Sequence, residues 1–479
     1  MIESQTFSEL GLAPELLAAV TDLGFTQPTP VQARAIPMAM HDVEADGFSD
    51  LMVSSQTGSG KTAAFLLPVL HTLLRQQNLR AQEEAQAWDQ MVAQAEAKGE
   101  PLPKRPRRKD PTNPRNFKAA VPGALVLCPT RELAQQVAHD AIDLVRHAKG
   151  LRIAHVVGGM PYQMQIARLQ NANLVVATPG RLLDLQRSSQ IKLDQVQFLV
   201  VDEADRMLDL GFADDLAEIH QLTRDRHQTM MFSATFAPRI QQLAARVMRQ
   251  PQRVEIAAPH QKHDNIRQVL HWADNASHKR RLLDHLLRDA SIDQAIVFAS
   301  TQIECDALAN DLQQDGFSAV ALHGAMSQAL RNRRLMALRQ GRVQILVATD
   351  VAARGIDVPT ITHVFNYGLP MKAEDYTHRI GRTGRAGRDG LAVTLAEFRD
   401  KRKIFDIEAF THHPLKAEVI AGLEPTQRLD REKSKPHRHH KPAGKTATHR
   451  KSFDSRGGPR MVGAGGGKPA HGQKRHKAR

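Results

Sequence analysis

A chain of 479 residues, 41% hydrophobic and 24% charged, has room for two or three domains with their own cores. The formal charge is +14, but residues 425–479 hold 16 Lys+Arg against 3 Asp+Glu, so the body is near neutral and must meet polyanions through local patches. Cys128 and Cys305 are the only cysteines, which excludes a disulfide framework or a cysteine-built zinc site. No apolar run is long enough to span a bilayer, and Met1 to Gln5 is unlike a secretion signal, so the expectation is a soluble, cytoplasmic protein with no membrane partner.

Short apolar runs alternate with helical stretches. In the first half these are Leu51 to Val53, Ala124 to Cys128, Asn173 to Ala177, Phe198 to Val201 and Thr229 to Phe232. The second half repeats the rhythm with Ala295 to Phe298, Ala319 to Leu322, Gln344 to Val347, His363 to Phe365 and Leu391 to Val393. Continuous rather than alternating runs predict strands covered on both faces, hence two tandem α/β domains, each a parallel sheet with helices on both faces. Ligands of such sheets bind beyond the carboxyl ends of the strands. The division reads 1–34 as a leading region, 35–256 as a first domain, 257–265 as linker within a polar stretch starting at Pro251, 266–424 as a second domain, and 425–479 as tail. The tail has too few large apolar residues to offset its ordering entropy and is expected to be disordered. An insertion at about 79–118 interrupts the first domain. Its first half, Leu79 to Ala97, reads as helix; from Gly99 to Asn116 it is rich in Pro, Lys and Arg and reads as mobile surface. The basic run Lys104 to Lys109 fits a solvated surface, with accessory nucleic-acid contact as the sharper alternative.

The stretch Ser55-Gln56-Thr57-Gly58-Ser59-Gly60-Lys61-Thr62 lies between an apolar run and the helical Ala63 to Leu67. Gly58 and Gly60 let backbone N–H groups turn inward on an anion, and the following helix offers its positive dipole end. Lys61 would reach the β- and γ-phosphates and the Thr62 hydroxyl would ligate magnesium. The general pattern places Gly where this chain has Ser55. Further on, Asp202-Glu203-Ala204-Asp205 follows Phe198 to Val201, a strand expected to neighbour the one before the phosphate loop. Two acids at a strand end are commonly a helix cap; beside a phosphate loop, Asp202 would hold magnesium and Glu203 would orient the attacking water.

That tetrad spells the signature of the DEAD-box ATP-dependent RNA helicases, and the chain from about Phe7 to Leu395 resembles that family motif by motif. Ser55 fits, since small residues are common there in the family. The resemblance implies tandem RecA-like domains, ATP and Mg2+ as cofactors, and RNA as partner. Residues 1–34 become a Q-motif region, with Phe25, Gln27 and Gln32 at the nucleotide; Gln32 would read adenine and Phe7 would stack on it. Thr130, Arg131, Gly158, Gly159, Thr178, Gly180 and Arg181, with Gly324, Arg331, Thr349 and Asp350 from the second domain, match positions close to RNA. Asp357 matches a ribose contact. Arg385 matches the arginine finger with Arg382 beside it, and Asp205, Ser233, Thr235 and His378 match the residues that couple the two domains. The implied activity is RNA-stimulated ATP hydrolysis driving local, largely sequence-independent strand separation or RNP remodelling. The alternative is an RNA chaperone that anneals through its basic tail. Partners in ribonucleoprotein assembly or RNA turnover are further expectations of the resemblance.

Overall fold

The computed structural model describes residues 6–40, 48–54, 59–99, 101, 118–234, 236–255, 265–353, 356, 358, 360–384 and 388–426. Fourteen strands are found among them. The first lobe has β1 (Leu51–Ser54), β2 (Ala124–Leu127), β3 (Ile153–Val156), β4 (Leu174–Ala177), β5 (Phe198–Val201), β6 (Gln228–Ser233) and β7 (Gln252–Glu255). The second has β8 (Ile266–Ala273), β9 (Gln294–Phe298), β10 (Ala319–Leu322), β11 (Ile345–Ala348), β12 (Ile361–Asn366), β13 (Gly390–Glu397) and β14 (Lys416–Ala417). Each set forms one seven-stranded sheet, in the orders β3-β4-β2-β5-β6-β1-β7 and β10-β11-β9-β12-β13-β8-β14, with parallel pairing throughout. The two orders are the same permutation.

Helices cover both faces of the first sheet, which is why its strands are apolar at every position. Leu51 and Val53 point into a core with Phe65, Leu66 and Leu70 of the helix Lys61–Lys98. Met52 between them points the other way, into a core with Leu182, Met207 and Ile240. The second sheet does the same, with Ala295 and Val297 on one side and Ile296 and Phe298 on the other.

Four strands lack the run that marks the others. β3 sits at a sheet edge and buries every second residue; β7, also at an edge, buries only Val254. β8 interleaves Arg267, Gln268 and His271 with apolar residues, and β14 is two residues long. The polar stretch from Pro251 therefore begins inside the first sheet, with Gln252–Glu255 paired to β1. A second correction concerns β5, which does not neighbour β1: β6 lies between them, paired to both. At about 4.8 Å per strand, the acids after β5 stand two strands from the phosphate loop, and Ser233 at the end of β6 stands between.

The helix following the loop is one rod of 38 residues, ending at Gly99 with φ +66°. At 1.5 Å per residue it is about 57 Å long. It is buried through Leu74 and largely exposed beyond, so Leu79 to Ala97 continues the phosphate-loop helix. The basic run Lys104 to Lys109, the linker 257–264 and the tail from Gln427 lie outside the described residues.

Candidate functional site

Because the sheets are parallel, the polar residues after β1, β2, β4, β5 and β6 all emerge at one edge of the first lobe. Lys61 is the first residue of its helix and is 8% exposed; Asp202, at the end of β5, is 3% exposed. The Glu203 N–H donates to Asp202 Oδ1 at 2.9 Å. Burial pushes the Asp202 carboxyl up to about 7, opposed by Lys61 and reinforced by Glu203 and Asp205. A buried carboxylate so short of positive charge suits a hard cation, as does a threonine at the helix start. Among the described residues no group of three or more His, Cys, Asp or Glu could hold a metal ion. Glu203 takes a left-handed conformation, φ +49°, a strained choice for a residue with a Cβ. Of the phosphate loop, Ser55, Gln56, Thr57 and Gly58 lie outside the described residues, as do Thr235, Asp357 and Arg385.

A cavity of about 440 Å³ opens beside Gly60 and Thr62, lined by Phe25, Gln27, Thr29 and Gln32 on one side and by Asp140 and Asp143 on the other. Phe25 is 42% exposed and presents its ring there, whereas Phe7 is buried in the core and stacks behind it with centroids 6.4 Å apart. Gln32 uses both ends of its amide within the protein: Oε1 accepts from the Thr29 N–H at 2.9 Å and Nε2 donates to the Gly60 carbonyl at 3.0 Å. Gly60 allows this approach. Its φ is +89°, and a Cβ would come within 2.5 Å of Gln32 Nε2.

A second cavity, about 420 Å³, is lined by Thr130, Arg131, Gly158, Thr178, Gly180 and Arg181 of the first lobe and Gly324 and Arg331 of the second. Thr130 caps its helix by accepting from the Leu133 N–H, and Arg131 lies against Gly159, where φ is +76°. Sequence reasoning missed Glu132. It is 7% exposed, and its Oε1 accepts from Arg331 Nε at 2.8 Å and from Gln328 Nε2 at 3.0 Å, across the lobes. Arg331 is therefore a clasp as well as part of the lining. Thr349 and Asp350 do not line this cavity. Asp350 is held bidentately by Arg379 at 2.6 and 2.7 Å, and Arg379 is 2% exposed.

Between the cavities, Ser233 Oγ donates to Asp205 Oδ1 at 3.1 Å and His378 Nε2 lies 3.9 Å from Asp205 Oδ2. Of the four residues expected to couple the domains, Asp205, Ser233 and His378 thus lie together, and Thr235 lies outside the described residues. Arg382 is 5% exposed and donates to the carbonyls of His378 and Ile356, both at 3.1 Å.

Comparison with known proteins follows these lines. The family model for DEAD/DEAH box helicases matches residues 29–243, and that for the helicase conserved C-terminal domain matches residues 278–387. The chain is 41% identical over 431 residues to the ATP-dependent RNA helicase SrmB of Escherichia coli (strain K12), covering 89% of this chain and 87% of that protein. It is 39% identical over 421 residues to SrmB of Haemophilus influenzae, covering 88% and 86%. Saccharomyces cerevisiae Dbp5 bound to RNA and ADP BeF3 is similar in structure, with a TM-score of 0.69 and 30% identity over 86% of this chain and 95% of that one. The two sheets are tandem RecA-like domains. With both lobes matched and the acidic tetrad seated at the end of β5, the chain belongs to the DEAD/DEAH box helicase family.

Proposed function

We propose that this chain is an ATP-dependent RNA helicase in which ATP and RNA together hold the two lobes closed. The observation that carries the reading is the Asp205 carboxylate, reached by Ser233 from its own lobe and by His378 from the other. A nucleotide bound at Lys61 and Asp202 is thereby linked to the orientation of the second lobe. The SrmB relatives are named ATP-dependent RNA helicases and Dbp5 was solved with RNA and ADP BeF3, which supports both ligands here.

Phe25 and Gln27 would line the adenine site with Phe7 behind. Adenine would compete with the Thr29 N–H and the Gly60 carbonyl for the Gln32 amide, which couples base recognition to the position of the loop. Lys61 and the N–H groups of its helix would take the phosphates of ATP. Asp202 and Thr62 would hold Mg2+, which supplies charge neutralisation on the phosphate oxygens. Glu203 accepts a proton from the attacking water or orients it. Arg382 and Arg385 would move onto the charge that develops in the transition state, an effect of about 10³–10⁵-fold in phosphoryl transfer. Asp357 would contact the ribose, and Thr235 would extend the coupling made by Ser233.

RNA would run along the cavity between Arg131, Arg181 and Gly324, held by its backbone and therefore with little sequence preference. Thr349 and Asp350, the latter oriented by Arg379, would extend that path. Closure bends one strand and expels its partner. The parts would be a Q-motif region at 1–34, an ATP-binding domain at 35–256 with an insertion at about 79–118, a linker at 257–265, a C-terminal helicase domain at 266–424 and a basic tail at 425–479 that tethers RNA. No helix among the described residues is long and apolar enough to cross a membrane, and the cytoplasm is the proposed location. Ribonucleoprotein or RNA-turnover complexes are the proposed setting.

The test is ATP turnover by the purified protein with and without single-stranded RNA, with Lys61→Ala as the blank. Strong stimulation that Lys61→Ala abolishes is expected. Equal rates with and without RNA would end the reading.

A further inference from the structure

The lobes also meet outside both cavities. The short helix Ala204–Asp209 carries Asp205 and, one turn later, Asp209. Asp209 Oδ1 accepts from Arg239 Nη1 at 2.5 Å and from Lys372 Nζ of the second lobe at 2.6 Å, while Oδ2 accepts from Arg206 at 3.1 Å. Arg239 also donates to Glu374 Oε2 at 3.3 Å, and Arg206 lies 3.9 Å from Asp375 Oδ1. Lys372 precedes the helix Ala373–Ile380, which carries His378. One pair of elements therefore bears two contacts, Asp205 with His378 and Asp209 with Lys372.

We propose that Asp209 is a positioning residue for lobe closure, the hub of an ionic latch that sets the register of the His378 helix against the acidic tetrad. This rests on the proposed helicase function and adds to it a contact that touches neither nucleotide nor RNA. The charges suit the task. Arg206, Asp209 and Arg239 sum to +1 on the first lobe, and Lys372, Glu374 and Asp375 sum to −1 on the second. Burial alone would raise the Asp209 carboxyl, and the bonds from Lys372 and Arg239 outweigh it, holding the group below its usual range. With the lobes together the Asp209 side chain is 12% exposed, and Arg206 and Arg239 pair with it from its own lobe. Two of its three partners therefore do not depend on the second lobe. Closing adds only the bond from Lys372, whose side chain is 49% exposed, together with that between Arg239 and Glu374. A contact of that size biases closure without locking it.

The experiment uses the full chain with a fluorescent donor on one lobe and an acceptor on the other, single-stranded RNA and a non-hydrolysable ATP analogue. Lys372→Ala should lower the ratio of closed to open protein by about 2- to 5-fold, and Asp209→Asn should do the same or more. Lys372→Arg should restore closure. The double variant Asp209→Asn/Lys372→Ala should fall short of the product of the two single effects. Raising the salt concentration should weaken closure of the wild type more than that of Lys372→Ala. Lys372 buries little, so its variant folds even if Asp209→Asn does not. A Lys372→Ala protein that closes like the wild type at every salt concentration would overturn the latch while leaving the helicase reading intact. A wild-type protein that stays open with both ligands would overturn both.

Discussion

Glu132→Gln removes the negative charge on which Arg331 and Gln328 of the second lobe converge. In the closed arrangement Arg331 is 6% exposed, and its Nε and Nη2 both lie 2.8 Å from the Glu132 carboxylate. Breaking a buried pair on one side costs about 3–5 kcal/mol, because the surviving charge stays buried and uncompensated. Opening the lobes returns Arg331 to water, so the cost falls on the closed state alone. The glutamine keeps an oxygen acceptor, which recovers part of it. That leaves about 2–3 kcal/mol against closure, or roughly 30- to 150-fold. In the proposed function RNA binds the closed form, so the RNA concentration giving half-maximal ATP turnover should rise by that factor. ATP affinity without RNA should stay as it was, since Glu132 does not line the nucleotide cavity. Half-saturation within about threefold of the wild type would show that the clasp contributes little to closure, and the reasoning from burial would fail with it.

Glu203→Gln should retain ATP binding and lose hydrolysis, because the substitution keeps the size of the side chain and removes its basicity; a variant that turns over ATP at the normal rate would contradict that role. Burial holds His71, His155, His220, His271 and His363 below the usual imidazole range, so the unfolded chain binds more protons and stability should fall as pH drops through about 6.5. Asp202, pushed up to about 7, works the other way by one proton at most, so the histidines should win. Urea midpoints at pH 7.5 and 5.5 check the sign, and equal midpoints would refute it. Truncation after Gln427 keeps the bond from the Thr426 N–H to Asp274 and should preserve RNA-stimulated turnover while flattening the salt dependence of RNA affinity. Matching salt slopes would make the tail a bystander.

The sequence exposed the residues whose chemistry is local. Gly60, Lys61 and Thr62 follow an apolar run, and Asp202 and Glu203 follow another, so strand, loop and charge can be read together. The sheet architecture was equally plain where strands are buried on both faces, and it faded at β3, β7 and β8, where polar residues face an edge or solvent. Contacts between the lobes left no such trace. Glu132 and Arg331 are 199 positions apart and Asp209 and Lys372 are 163 apart, and no periodicity or spacing joins them. A span of 29 positions likewise hid the clasp of Arg379 on Asp350, a residue the sequence offered only as one close to RNA. Local competition hid the state of Gln32, whose amide is taken up by its own helix start and by Gly60.

Since the second sheet repeats the strand order of the first, the turn after β8 corresponds to the phosphate loop after β1. There the chain carries Asp274 and Asn275 instead of glycines and a lysine. The Asn275 side chain accepts from the His278 N–H at the start of the helix Ala276–Leu286, and the Asp274 carboxylate receives the Thr426 N–H. The berth that the proposed function gives to phosphate in one half is thus matched in the other by the protein's own acceptors. On that proposal the duplicated scaffold keeps a single seat for fuel, with its twin as the jaw that shuts over it.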